Sequence, residues 1–209
     1  MARIENGPFG NISGRVGNVV VYMLNGKMVM RSLPSVKRKK ASGRQKETQD
    51  LFANVVMPVR AAKSFIKIGF AGVKGFSAYH SALSLNLQRM SENGQFSYSK
   101  MIFSKGKLAA AIEPVALIDS DLKLTISWQQ NEPGKPLSDD DNVLLLVINT
   151  SQNRAEYDLN AGKRSAGQAS IQLMHTEKGN HLEVYIAFAK LTGAVAEVSD
   201  SVWAGQIEV

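Results

Sequence analysis

The sequence predicts an α+β chain: an N-terminal β-hairpin with two helices, followed by a C-terminal antiparallel β-sandwich of immunoglobulin or fibronectin type. Three observations carry that expectation. Asn25-Gly26 lies between two apolar runs, and Asn-Gly is the strongest short hairpin signal because a type I′ turn needs φ > 0 at both central residues. Apolar residues then recur at three- and four-residue steps from Leu51 to Leu87, the period of a helix with one buried face. From Phe96 onward the period falls to two, with turn residues between short runs.

The chain opens with Gly7, Gly10, Gly14 and Gly17, interleaved with Pro8, Asn11, Ser13 and Asn18. Glycine is a poor helix former, so this stretch reads as an irregular arm in which glycine supplies unusual φ or close backbone approach. Residues 19–23 and 27–31 are the hairpin strands. An isolated hairpin is marginal in water, so this one needs a surface from its own chain or from another. Residues 31–46 follow, with seven cations (Arg31, Lys37, Arg38, Lys39, Lys40, Arg44 and Lys46) and no acid. They read either as a loop that grips phosphate or an acidic protein face, or as a solvated linker into the next helix. No aromatic lies among them, so a base has no stacking platform there.

A helix is expected from Ser42-Gly43, with Ser42 as N-cap and Gln45 three residues on. Leu51, Phe52, Val55, Val59, Ala62, Phe65 and Ile66 form its buried face, and Pro58 should kink or split it. Gly69, Gly72 and Gly75 break the pattern. A second helix over 76–90, on Phe76, Tyr79, Leu83 and Leu87, ends before Asn93-Gly94. The expected division is 1–95 for arm, hairpin, basic loop and helices, and 96–209 for the sandwich. Within the latter, 96–104 and 107–117 flank a Lys105-Gly106 turn as a hairpin. Leu122, Leu124, Ile126 and Trp128 share one strand face, and 141–151 is a buried strand. Residues 170–176 and 181–189 flank a second turn, and 201–209 is the closing strand. Residues 132–141 are too polar and turn-rich for a core and read as a surface loop.

The net charge of +7 conceals an asymmetry. Residues 1–110 hold 18 Lys and Arg against 4 Asp and Glu, and residues 111–209 hold 7 against 14. Such a division points to an anionic partner or to opposite-charge contact between copies. Catalytic machinery is not visible. The absence of cysteine removes disulfides, thiolate zinc sites and a thiol nucleophile. His175 and His181, with Glu177 and Glu183 nearby and the two histidines facing each other on paired strands, fall short of a zinc ligand set, and His80 reads as a surface residue. Asp119, Asp121, Asp139, Asp140 and Asp141 lack EF-hand spacing. No phosphate-binding or nucleophile-elbow motif occurs. The expectation is a protein that is not an enzyme and takes no cofactor. The opening ten residues lack the apolar core of a secretory signal, and no apolar run is long enough for a membrane helix. A cytoplasmic setting is the default, with an extracellular or virion setting left open.

Several residues near the N-terminus form a pattern: Met1-Ala2-Arg3-Ile4, Asn6-Gly7, Gly10, Ser13-Gly14, Val16-Gly17-Asn18-Val19-Val20, Tyr22, Gly26-Lys27, Arg31 and Pro34. In them the chain resembles an uncharacterised family of Bacteroidota proteins, a domain of unknown function. The helix after Gln45, Gly69-Phe70 and Ser97-Tyr98-Ser99-Lys100 are similar to that family too. The resemblance implies a bacterial source and a single-chain architecture, and it brings no activity, ligand or catalytic residue.

The function expected is a self-assembling structural subunit of filament, virion or surface-layer type, whose partner is a further copy of itself. Gly10, Gly14, Val16, Gly17, Val19, Val20, Val21 and Tyr22 would carry arm or strand exchange onto a neighbour's sheet edge, with opposite-charge contacts beside it. Val19 and Val21 would face one way, Val20 and Tyr22 the other. The alternative is a nucleic-acid-binding protein that uses residues 31–46.

Overall fold

The computed structural model describes residues 2–4, 13–24, 26–33, 40–73, 77–93, 95–129, 140–190 and 196–209, and the side chains of 2–4 and 91–93 are outside the description. The chain divides into two compact units, Met1–Ser42 and Gly43–Val209.

The first unit is an antiparallel sheet in the order β1-β4-β3-β2, with β1 Ala2–Ile4, β2 Gly14–Val16, β3 Val19–Leu24 and β4 Lys27–Ser32. β3 and β4 form the expected hairpin, in register from Leu24↔Lys27 to Val19↔Ser32. Gly26 has φ +74°, and Asn25 itself lies outside the described residues. A second hairpin departs from the irregular arm expected of residues 14–17. β2 pairs with β3 from Val16↔Val19 to Gly14↔Val21 across Gly17-Asn18. Gly17, at φ +57°, takes the first central position, where a tight hairpin turn of II′ type needs glycine.

The second unit has three layers. Its helices are α1 Gly43–Ala61, α2 Lys63–Gly69 and α3 Ala78–Asn93. Its strands are β5 Ile112–Ile118, β6 Lys123–Gln129, β7 Asn142–Asn149, β8 Arg154–Asp158, β9 Gln168–Gln172, β10 His181–Lys190, β11 Glu197–Val198 and β12 Val202–Glu208. One antiparallel sheet runs β11-β10-β7-β8, with β12 also pairing β10, and the other runs β5-β6-β9. Side chains alternate across the central strands. Val143, Leu145 and Val147 of β7, with Leu182, Val184, Ile186 and Phe188 of β10, meet Leu124, Ile126, Trp128, Ala169 and Ile171 of the smaller sheet. Leu144, Leu146, Ile148, Tyr185, Ala187 and Ala189 turn the other way, onto Val55, Val59, Ala62, Phe65, Ile66, Ala82 and Met90 of the helices. Because both faces of β7 and β10 are covered, these strands read as near-continuous apolar runs rather than alternating ones, with Glu183 the exception in β10.

Several expectations change. Pro58 lies inside α1, and the break comes later, at Ala62. The chain stays nearly helical there, with Ala62 N–H donating to Pro58 O (3.0 Å) and Ile66 N–H to Ala62 O (2.9 Å). The bond proline forgoes is the one to the carbonyl of Asn54, an exposed residue that water can serve. Phe52, expected in the core, is exposed. Residues 96–104 form no strand. A single 3-10 turn at Tyr98–Lys100 leads into a buried extended segment, so there is no hairpin about Lys105-Gly106. β9 and β10 belong to different sheets, so His175 and His181 do not face each other on paired strands. Among the described residues, no helix is long and apolar enough to cross a membrane.

Candidate functional site

Of the residues expected to carry assembly, Gly10 lies outside the described residues and the others lie on the first sheet. Val19, Val20, Val21 and Tyr22 are in β3, which β2 and β4 flank within the same chain, so the backbone of β3 is already paired on both sides. The outward edge is β2, where Gly14, Arg15 and Val16 are all exposed. In a two-residue hairpin the flanking pair Val16/Val19 exchanges both hydrogen bonds, and so does Gly14/Val21. Arg15, between them, turns its N–H and C=O away from β3, while its Nε donates to Gly17 O at 3.1 Å. Among the described residues nothing pairs with that edge. Strand alternation puts Val16 on the same face as Val21 and Met23, and Val16 (67% exposed) and Met23 (49%) remain open. The signal that sequence reasoning missed was Gly17-Asn18, a two-residue turn between valines.

The cationic residues separate. Arg31 lies in β4 with its guanidinium 5.7 Å from the centre of the Tyr22 ring. Lys40 is exposed, and Lys37, Arg38 and Lys39 lie outside the described residues. Arg44 and Lys46 stand near the exposed start of α1, where the first turn holds no acid. Cations there oppose the helix dipole, at a cost of about 0.3–1 kcal/mol each. Arg60, Lys63 and Lys67 form a further exposed basic stripe along α1 and α2, in no ion pair among the described residues. Divided at the unit boundary, the charge is sharper than by halves. Residues 1–42 hold 8 Lys and Arg and 1 acid, and residues 43–209 hold 17 of each.

The polar networks of the second unit hold loops in place. Asn86, fully buried in α3, pairs with the backbone of Ile102. Its Nδ2 donates to Ile102 O (2.7 Å) and its Oδ1 accepts from Ile102 N–H (2.8 Å). The Ser201 hydroxyl accepts from Phe103 N–H (2.9 Å), and the Ser104 hydroxyl donates to Ser199 O (2.7 Å). The Asp200 carboxylate is engaged by Lys105 Nζ and Gly106 N–H. Gly106 runs so close to Val198 O that a Cβ would collide with it. Beside this loop a cavity of about 520 Å³ opens, lined in part by Lys105, Lys107 and Glu197. Each of these serine hydroxyls is bound to backbone, which makes the cluster a clamp. At one end of the sandwich the buried Arg164 contacts Asp141 Oδ2 (3.4 Å) and lies 4.1 Å over the Phe188 ring. Glu183 is buried facing the helices, where it accepts from Trp203 Nε1 (2.7 Å). Burial pushes its carboxyl up, and the Trp203 hydrogen bond opposes that. Burial and the Glu183 charge also raise the phenols of Tyr98 and Tyr185. Asp119 Oδ1 accepts from the N–H groups of Asp121 and Lys123, which closes a turn. Among the described residues no group of three His, Asp or Glu gathers as a metal would need.

One further surface had no counterpart in the sequence reading. β5 is an edge strand of the smaller sheet, and its register shifts between Ile112↔Gln129 and Val115↔Ser127. Two residues, Glu113 and Pro114, stand there opposite the single Trp128, which is a β-bulge. Simple alternation would turn Ile112 to the face opposite Val115. The bulge resets the phase, so Ile112, Val115 and Leu117 all lie outside, opposite Gln129, Ser127 and Thr125. Glu113 takes φ +46°, a left-handed conformation that costs a non-glycine residue roughly 1–2 kcal/mol, and its carboxylate accepts from Gln129 Nε2.

Comparison with known proteins adds one match, to a family described as a family of unknown function, over residues 11–205. No curated protein and no solved structure matches the chain.

Proposed function

Since the chain belongs to that family of unknown function (DUF6266), which carries no activity over to it, we propose from its surfaces that it is a self-assembling structural subunit joined through its N-terminal sheet. The observation that supports this reading is the β2 edge, unpaired among the described residues, whose three residues are all exposed in a cationic unit. An unpaired edge is a template for another strand, which gains main-chain hydrogen bonds and register from alternate side chains. Arg15 is the residue whose backbone faces outward. Arg15→Pro removes that donor and leaves the Val16/Val19 and Gly14/Val21 pairs in place. Light scattering should find wild-type protein in species larger than 22.7 kDa and the R15P variant shifted toward the monomer. Equal masses for the two would sink the strand-edge reading.

The second reading is nucleic-acid binding, favoured by the exposed stripe Arg60, Lys63 and Lys67, in no ion pair among the described residues, with Arg44 and Lys46 nearer the start of α1. It demands affinity that falls steeply with salt, because phosphate contacts release counterions. Charge reversal of Lys63 and Lys67 should then weaken binding to any duplex sequence about equally. Affinity that survives both high salt and that reversal contradicts it.

A further inference from the structure

Alternation sorts the N-terminal sheet into two unlike faces. Val20, Tyr22 and Leu24 of β3 share one. Register adds Arg15 of β2 and Arg31 of β4, both opposite Val20, and Lys27 of β4, opposite Leu24. Val16, Val19, Val21 and Met23 share the other face with Met28, Met30 and Ser32. Every cation of β2, β3 and β4 therefore lies on the face of the aromatic ring, and the opposite face of those strands carries no charge. The contact of the Arg31 guanidinium with the Tyr22 ring, 5.7 Å from its centre, follows from that placement. Arg15, Leu24, Lys27 and Arg31 are exposed, Val20 and Tyr22 are half-buried, and Val29 between the two β4 cations is buried. Among the described residues none of the three cations is in an ion pair, and residues 1–42 hold 8 cations against 1 acid.

The spacing says what kind of anion fits. Arg15 and Arg31 flank β3, so their backbones stand about 10 Å apart, and Lys27 is about 13 Å along β4 from Arg31. That spread matches a short polyanion rather than a single phosphate, and Tyr22 stands within it. Unpaired bases stack on aromatic rings and on guanidinium planes, whereas a duplex keeps its base faces inside the stack. We propose that this face binds single-stranded nucleic acid, with Arg15, Lys27 and Arg31 on the phosphates and a base against Tyr22 and Arg31. The proposal goes beyond the assembly reading, which uses the β2 edge and not the face. It rests on the second reading for its class of ligand and gives that ligand a surface separate from the Arg60, Lys63 and Lys67 stripe. The basic stretch 31–46 has no aromatic of its own, but the hairpin register sets its first cation, Arg31, beside Tyr22. An anionic bilayer is the weaker fit, because the exposed Val16 and Met23 that would enter it lie on the face without cations.

The test is fluorescence anisotropy of labelled oligo(dT) with the full-length protein. Wild type should bind it, and should bind a duplex of equal length more weakly. Tyr22→Phe keeps the ring and should bind like wild type. Tyr22→Leu keeps an apolar group, removes the ring and should bind roughly 5- to 150-fold more weakly. Arg15→Gln with Lys27→Gln changes exposed positions only. It should flatten the log–log salt dependence by about 1.4, at about 0.7 for each phosphate contact on a single strand. Circular dichroism melts matching wild type establish that the variants fold, and R15Q/K27Q carries the test if Y22L does not. A salt dependence unchanged in R15Q/K27Q, or equal affinities for folded Y22L and Y22F, overturns the proposal. If Lys63→Glu with Lys67→Glu then abolishes binding, the nucleic-acid reading survives on the helices. Wild-type protein that binds phosphatidylserine vesicles and not oligo(dT) overturns the proposal in favour of a membrane contact. No binding of any nucleic acid at low salt overturns this proposal and the second reading together, and leaves the assembly reading standing.

Discussion

The two units bury their chain differently. In Gly43–Val209 a five-stranded sheet is covered on both faces, by helices on one side and by a three-stranded sheet on the other. In Met1–Ser42 the described buried hydrophobic residues are Val21, Met28 and Val29, on one four-stranded sheet. Small sheets with little buried area are marginal. The charge divides along the same line, with the whole +7 excess in the first 42 residues and balance in the remainder. The larger unit holds what a stable fold needs. The smaller one is cationic and, among its described residues, buries little and leaves the β2 edge unpaired, the combination expected of a surface completed by something else.

The largest expected effect contrasts the two cores. Phe65 of α2 is fully buried against the central sheet, and Phe65→Ala should cost about 3–5 kcal/mol. Met28→Ala in β4 should cost about 2 kcal/mol, at the low end for its class. Urea unfolding of both variants reads the difference, and equal losses would break the comparison. Next comes Asn86. Asn86→Ala strands the N–H and C=O of Ile102 in a buried site, and each orphaned group costs about 1–3 kcal/mol. The damage should appear in the same unfolding curves and in faster hydrogen exchange at Ile102, with exchange in β3 unchanged.

The smallest effect is a pH dependence confined to the larger unit. Burial raises the Glu183 carboxyl in the folded protein, so the folded state holds that proton more tightly than the unfolded chain does. The stability this contributes is complete below the unfolded carboxyl pKa of about 4.3 and is lost as pH rises through the folded value. Above that range the buried carboxyl is therefore a burden. Glu183→Gln keeps an acceptor for Trp203 and removes the charge. It should be more stable than wild type at pH 7 and about equal to it near pH 4, in thermal melts at the two pH values. A difference that does not change with pH contradicts the assignment.

Local patterns were legible where local physics dictates them. Asn25-Gly26 specified the β3–β4 hairpin, alternation from Leu122 to Trp128 specified the inner face of β6, and the apolar run after Asn142 specified a strand covered on both sides. What pairs with what was less visible. β9 and β10 follow one another like a hairpin, yet each pairs in a different sheet, because turn residues do not reveal which sheet a strand joins. Met101, Ile102 and Phe103 look like a strand, but side chains of Asn86 and Ser201 satisfy the backbone of Ile102 and Phe103, so no ladder forms. β2 was hidden by the glycines in and around it, although Gly17-Asn18 marks the turn. The β5 face was hidden by a one-residue change of phase, which no periodicity window resolves.

The most direct test of the account is hydrogen exchange at the Arg15 amide as a function of protein concentration. That N–H faces the open edge of β2. If the N-terminal sheet is the assembly surface, its protection should rise with concentration and should fall again in high salt. An Arg15 amide that exchanges at one fast rate from dilute to concentrated solution would contradict the account.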